Sequence, residues 1–142
     1  MIDEPKKLPA IVSDTNALIS AANSPNSASR SILQLAAEHF QIVHSSTIWV
    51  ELGAVIGRKK FDRYFLADSR TDFLLPLARS SRFVEPAIAI SDYPDASENR
   101  FLELALCASA EIIISGDEHL RSMNPWRNIA ILSPGEFLQR HA

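Results

Sequence analysis

Cysteine is almost absent: Cys107 is the only one in 142 residues. That excludes an intrachain disulfide and any metal knuckle built from paired cysteines, and it suits a reducing cytoplasm. Long apolar runs are missing as well. Nothing reaches the roughly 20 residues of a membrane span, and the opening MIDEPKKLPA lacks the apolar core of a secretion signal. There is no internal repeat and no low-complexity tract. Nor is there an excess of positive charge, since 14 Lys plus Arg face 17 Asp plus Glu for a net −3. The strongly basic balance of many nucleic-acid binders is therefore excluded. A polyanionic partner has to be met by a local basic patch or a bound cation.

What remains is an ordinary globular composition, 46% hydrophobic and 22% charged, long enough for one domain with its own core. A single domain is expected over 1–142, with 1–8 as a flexible N-terminal extension. "AIVS" (10–13) reads as a first strand, and the polar "NSPNS" leads into a helix over about 27–39. "QIVHS" (41–45) is a second strand, 46–57 a helix, and 59–66 with 69–81 a helical pair or arm. "RFVEPA" (82–87) is a weak strand and 88–95 a loop before a helix over 96–109. "EIIIS" (111–115) and "NIAIL" (128–132) are strands. Ser133 as N-cap and Pro134 at the first position start a closing helix. Strands alternating with helices imply an α/β fold, a three-layer α/β/α sandwich around a central parallel sheet.

Four carboxylates stand out against that pattern. Ligands of open parallel sheets sit at the carboxyl ends of the strands. Asp14 and Asp117 each fall just past such an end, so neighbouring strands would place both in one crevice. Aspartate also caps helices well, and for either residue alone the cap is the better reading. Glu51 lies on the edge of the apolar stripe formed by Ile48, Leu52, Val55 and Ile56. Glu98 projects onto the face that carries Phe101, Leu102, Ala105 and Leu106. A lone buried carboxylate is costly unless it is paired or bound to a metal. The competing reading makes Asp95 an N-cap and Glu98 its capping-box partner. Taken together, four converging negative charges require a cation. Oxygen ligands without Cys or His select Mg²⁺ or Mn²⁺, and such an ion beside a phosphodiester activates water and neutralises the scissile phosphate.

These blocks resemble the PIN-domain ribonucleases, a group that includes toxins of bacterial toxin–antitoxin pairs. The likeness runs from about 10 to 138, through "IVSDTNALISA", "SSTIWVELGAVIGRKKF", "SENRFLELALCASAEIIISGDEHL" and "IAILSPGEFL". It implies a divalent-metal site that cuts RNA, an antitoxin protein as partner, and a homo-oligomer, a dimer. By position, Asp14, Glu51, Glu98 and Asp117 fall on its metal-binding and catalytic acids. Glu98 stands where the family usually has aspartate, with Asp95 and Asp92 just upstream to substitute or assist. Thr15, Asn16 and Ser115 match small polar positions that support the acids. His119 occupies a place where many relatives carry another acid.

Arg58, Lys59, Lys60 and Arg63, with Phe61 and Tyr64 interleaved, form a candidate grip on a phosphate backbone; a solvated helix face is the commoner meaning. The four histidines show no ligand spacing. Trp49 and Trp126 suit packing or subunit contacts, and the apolar 61–78 stretch suits core or a dimer face. Two rival functions follow: a non-catalytic RNA-binding or scaffold domain with a weakened metal site, and a phospho-acceptor or phosphatase using Asp14 as nucleophile. The phosphatase pattern wants a second aspartate where Asn16 stands.

Overall fold

The computed structural model describes residues 8–23, 28–58 and 67–141. Its five strands are β1 (Ala10–Ser13), β2 (Gln41–His44), β3 (Ser81–Phe83), β4 (Ile112–Ile114) and β5 (Ala130–Leu132). They form one all-parallel sheet in the order β3-β2-β1-β4-β5. Among the described residues the helices are α1 (Thr15–Asn23), α2 (Ala28–His39), α3 (Ser46–Ile56), α4 (Ala67–Ser80), α5 (Asn99–Cys107), α6 (Glu118–Arg121) and α7 (Pro134–His141).

Why the sheet is central shows in its residues. β4 is three isoleucines, all buried, as β-branched chains are where a strand is covered on both faces. Ile113 shares one face with Ala10, Val12, Val43 and Ile131, packed by Phe101, Leu102 and Ala105 of α5 and Leu120 of α6. Ile112 and Ile114 share the other with Ile11, Ile42 and Leu132, packed by α1, α2, α3 and α7 through Leu18, Ala36, Leu52 and Phe137. Two apolar clusters on opposite faces of one sheet make the three-layer sandwich expected from the sequence.

The chain runs β1 to β2 to β3 in one direction and then returns to β4 and β5 on the other side of β1. The order therefore reverses between β1 and β4, the place where open parallel sheets open a ligand crevice. Register pairs Ser13 with Ile114, so both strands end at the same level.

Some elements depart from the sequence reading. The segment after Asp14, given no element there, is helix α1. The helix expected over 96–109 begins at Asn99, because the Asp95 carboxylate accepts from Ser97 N–H and Oγ and closes a turn of its own. The last strand starts at Ala130 because Arg127 and Asn128 hold φ of 47° and 66°, backbone that no strand uses. β3 is a three-residue edge strand. Ser133 and Glu136 exchange hydrogen bonds of 3.2 and 3.1 Å as a capping box at the start of α7. The first half of the expected helical pair, 59–66, lies outside the described residues, as do 1–7 of the expected extension.

Candidate active site at the carboxyl ends of β1 and β4

Asp14 leaves β1 directly into α1 and is 7% exposed. Its Oδ1 accepts from the Ala17 N–H at 2.7 Å, so it does cap α1. Its Oδ2 accepts from Ser115 Oγ at 2.7 Å and from Gly116 N–H at 3.1 Å. Ser115, fully buried at the end of β4, also accepts from the Asp117 N–H at 3.0 Å. One hydroxyl thus ties the two strand-end aspartates together. Asp117 Oδ1 caps α6 through the His119 N–H at 2.9 Å. Its Oδ2 accepts from the Tyr93 hydroxyl at 3.1 Å. Each aspartate thus caps a helix and is bonded to Ser115 at once.

Glu98 stands at the N-cap position of α5 and makes no side-chain capping bond. The capping-box reading therefore has no bond behind it. Its carboxyl is pushed above the ordinary glutamate range, first by burial, then by the charges of Asp14 and Asp117; Arg100 acts in the opposite sense. Glu98 lies in the combined field of the two strand-end aspartates.

Glu51 is placed differently. Its Oε2 lies 2.5 Å from Arg100 Nη2, so α3 and α5 are joined by an ion pair there. Asp92 is committed elsewhere, accepting from Trp126 Nε1 at 2.8 Å and Arg127 Nη2 at 3.2 Å. Asp95 is committed to Ser97, although its charge reaches Glu98. Thr15 is buried with an unpartnered Oγ1, and Asn16 is exposed. Arg58 is exposed after α3; Lys59, Lys60 and Arg63 lie outside the described residues. Trp126 is buried and Trp49 packs on the His44 and Phe83 rings.

Three residues at the site escaped the sequence reading. Tyr93 is buried and its phenol is pushed up, chiefly by burial and then by Asp117. Asn99 holds it there: its Oδ1 accepts from the Tyr93 N–H at 2.9 Å and its Nδ2 donates to the Tyr93 carbonyl at 2.8 Å. Arg100 is the third. A tyrosine inside the polar "SDYPD" was the one available signal.

The donor set suits a hard divalent cation: oxygen only, mutually repelling, with a buried hydroxyl left unpartnered. No three acids among the described residues stand as a finished coordination group. Each is held by protein donors instead: Asp14 faces three, Asp117 two, and Glu51 a guanidinium. The residues fit an ion in kind, and their carboxylates must turn to hold it.

An open parallel sheet with acids at its switch point defines an α/β domain whose ligand crevice is expected at the carboxyl ends of β1 and β4. The chain belongs to the PIN domain family, whose sequence model matches residues 10–119. Among solved structures, a chain in the crystal structure of VapBC2 from Rickettsia felis, bound to a DNA fragment from their promoter, is similar at a TM-score of 0.57 and 14% identity; the match covers 86% of this chain and 96% of that one. PAE2754 from Pyrobaculum aerophilum is similar at 0.55 and 13%, over 94% and 88%. At such identities the likeness is one of fold. No curated protein sequence matches this chain.

Proposed function

We propose that this protein is a divalent-metal-dependent endoribonuclease, the toxin of a toxin–antitoxin pair. One observation carries the reading: Asp14 and Asp117 are fastened side by side through Ser115 with Glu98 in their field. Membership in the PIN domain family supports it. The R. felis assembly, a relative in fold, supports an antitoxin partner. A homodimer in the cytoplasm completes the reading, and no described helix is long and apolar enough to cross a membrane.

Asp14, Glu98 and Asp117 would hold Mg²⁺ or Mn²⁺, with Glu51 beside them. When bound, the ion supplies an activated water and neutralises charge on the scissile phosphate. The chain's own part is positional. Ser115 and the Gly116 N–H fix the Asp14 carboxylate, Tyr93 fixes that of Asp117, and Asn99 locks Tyr93 in place. Arg58, Lys59, Lys60 and Arg63 are the proposed grip on RNA beyond the site.

Asp117→Asn is the cleanest test. Asparagine can still accept from His119 N–H and donate to the Tyr93 oxygen, so only the charge is lost. Cleavage of single-stranded RNA to 3′-hydroxyl ends should require Mn²⁺ and vanish in this variant while the fold persists. Full activity of Asp117→Asn would sink the mechanism. That the acids among the described residues form no finished coordination group favours a second reading, an RNA-binding domain without catalysis. Calorimetry at millimolar Mn²⁺ separates them, since that domain should give no heat.

A further inference from the structure

The Glu51–Arg100 pair stands where a nuclease of this design should keep its acids free for metal. Both side chains are about one-third exposed, 33% and 29%. At that exposure an ion pair contributes about 1 kcal/mol or less, so bracing α3 against α5 is a weak reason for it. Arg100 is nonetheless tightly specified. Its guanidinium lies 4.9 Å from the centroid of the Phe101 ring, and Phe101 is buried in the core. Its Nε and the Glu51 Oε2 are both buried without a well-aligned hydrogen bond, although Oε2 and Nη2 lie at ion-pair distance, so the pair leaves part of the guanidinium's donor capacity unused.

We propose that Arg100 binds a phosphate of the RNA beside the cleavage point, with Glu51 acting as its holder and not as a metal ligand. The assignment rests on the ribonuclease reading above. Phosphate is the chemistry that matches: a planar guanidinium offers it two parallel N–H donors. The need is electrostatic as well. An RNA strand approaching Asp14, Glu98 and Asp117 meets like charge, and Arg100 is the cation whose field reaches both Glu98 and Asp95. The aromatic ring beneath and the carboxylate beside it hold the guanidinium ready, so little side-chain freedom is lost on binding.

Arg100 and the divalent ion are then neighbours of like sign. Removing the arginine should act oppositely on the two ligands. The metal should bind roughly fivefold tighter, the scale of one charge repelling a divalent ion across several ångströms of wet crevice. RNA should bind roughly tenfold weaker through loss of a charge-assisted contact. A pair that merely braces two helices would loosen both ligands together.

The experiment uses the full chain with Arg100→Gln and Arg100→Met, the latter keeping an aliphatic stem on Phe101. Mn²⁺ alone is titrated by calorimetry. A short single-stranded RNA is titrated by anisotropy with Ca²⁺ in place of Mn²⁺, across a series of KCl concentrations. The proposal expects tighter Mn²⁺, weaker RNA, and a salt slope smaller by about one unit. Arg100→Lys should restore the slope, because it keeps the charge, but only part of the affinity, because it lacks the fork. Folded variants with wild-type RNA affinity and slope overturn the assignment, as do variants that lose Mn²⁺ and RNA in parallel. Absence of any Mn²⁺ heat in the wild type overturns the ribonuclease reading itself, and Arg100 with it.

Discussion

Replacing aspartate by asparagine should be far more damaging at 14 than at 117, although the chemical change is the same. Asp14 accepts three bonds: Ala17 N–H on one oxygen, Ser115 Oγ and Gly116 N–H on the other. Asparagine has a single acceptor oxygen. If that oxygen keeps the α1 cap, the amide NH₂ confronts the Gly116 N–H, donor against donor. If it turns to Gly116, the NH₂ confronts the Ala17 N–H and the cap is lost, itself about 1 kcal/mol. In both rotamers one donor in a nearly buried place is left unsatisfied, at about 1–3 kcal/mol, and the surviving bonds lose their charge assistance. We expect about 3 kcal/mol of destabilisation. At 117 the two partners are an N–H and a hydroxyl, and the hydroxyl can accept, so every bond survives in neutral form. The lost charge also eases its repulsion of Glu98, leaving a change of about 0–1 kcal/mol. Urea unfolding at pH 7 in EDTA, analysed at constant m, measures the gap. In melting temperature it should be about 8 °C for a chain of this length. Equal penalties at the two sites would refute the donor count on which this rests.

Other outcomes follow from neighbouring contacts. Tyr93→Phe removes a 3.1 Å bond to Asp117; it should cost about 1 kcal/mol and weaken Mn²⁺ binding measurably by calorimetry, and unchanged affinity would show that Asp117 needs no such support. His44 is buried with both ring nitrogens unpartnered, and burial pulls its imidazole down to about 4. The unfolded state then binds more protons between pH 6.5 and 4, so stability falls as pH drops through that window, by about 2 kcal/mol from pH 7 to 5; His44→Phe should flatten that part of the stability profile. Metal-free Glu98→Gln should be more stable than the wild type at pH 7. The advantage should disappear at low pH, where the raised Glu98 carboxyl is already protonated. Denaturation scans at pH 7 and 4 decide it, and a loss of stability at pH 7 would mean that Glu98 is paired after all.

Much of the architecture could be read from local pattern. The isoleucine run of β4, the Ser133–Pro134 start of α7 and the stripe on α3 are each decided by near neighbours in the chain. Asp14 and Asp117 were legible for the same reason, since each ends an apolar strand. Contacts between distant segments were not. Tyr93 meets Asp117 across 24 positions from a loop without periodicity, and Arg100 meets Glu51 across the sheet's own crossovers. The start of α5 was misjudged because Asp95 spends its carboxylate on Ser97, two residues away, where a capping box needs three. Propensity cannot choose between two such turns; the docking of Tyr93 through Asn99 does.

The adjacency of β1 and β4 divides the crevice into a stiff jaw and a compliant one. Asp14 follows β1 directly and Asp117 follows β4 after Ser115 and Gly116. The two strands are paired in register, a parallel ladder keeps them about 4.8 Å apart, and Ser115 Oγ bonds both aspartates. Their spacing is thereby held by that ladder together with the Ser115 bonds and the cap of α6. Glu98 stands at the N-cap of α5, a helix whose packing on the sheet can slide without breaking a ladder bond. Mg²⁺ asks for oxygens at about 2.1 Å in a strict octahedron, Ca²⁺ for a looser shell near 2.4 Å. In the proposed metal site a difference that small would fall on the helical jaw. On the proposed ribonuclease reading, discrimination between ions would be set by how α5 and the turn before it seat against the sheet, and grafting another 92–98 turn onto this scaffold would retune the ion without touching either strand.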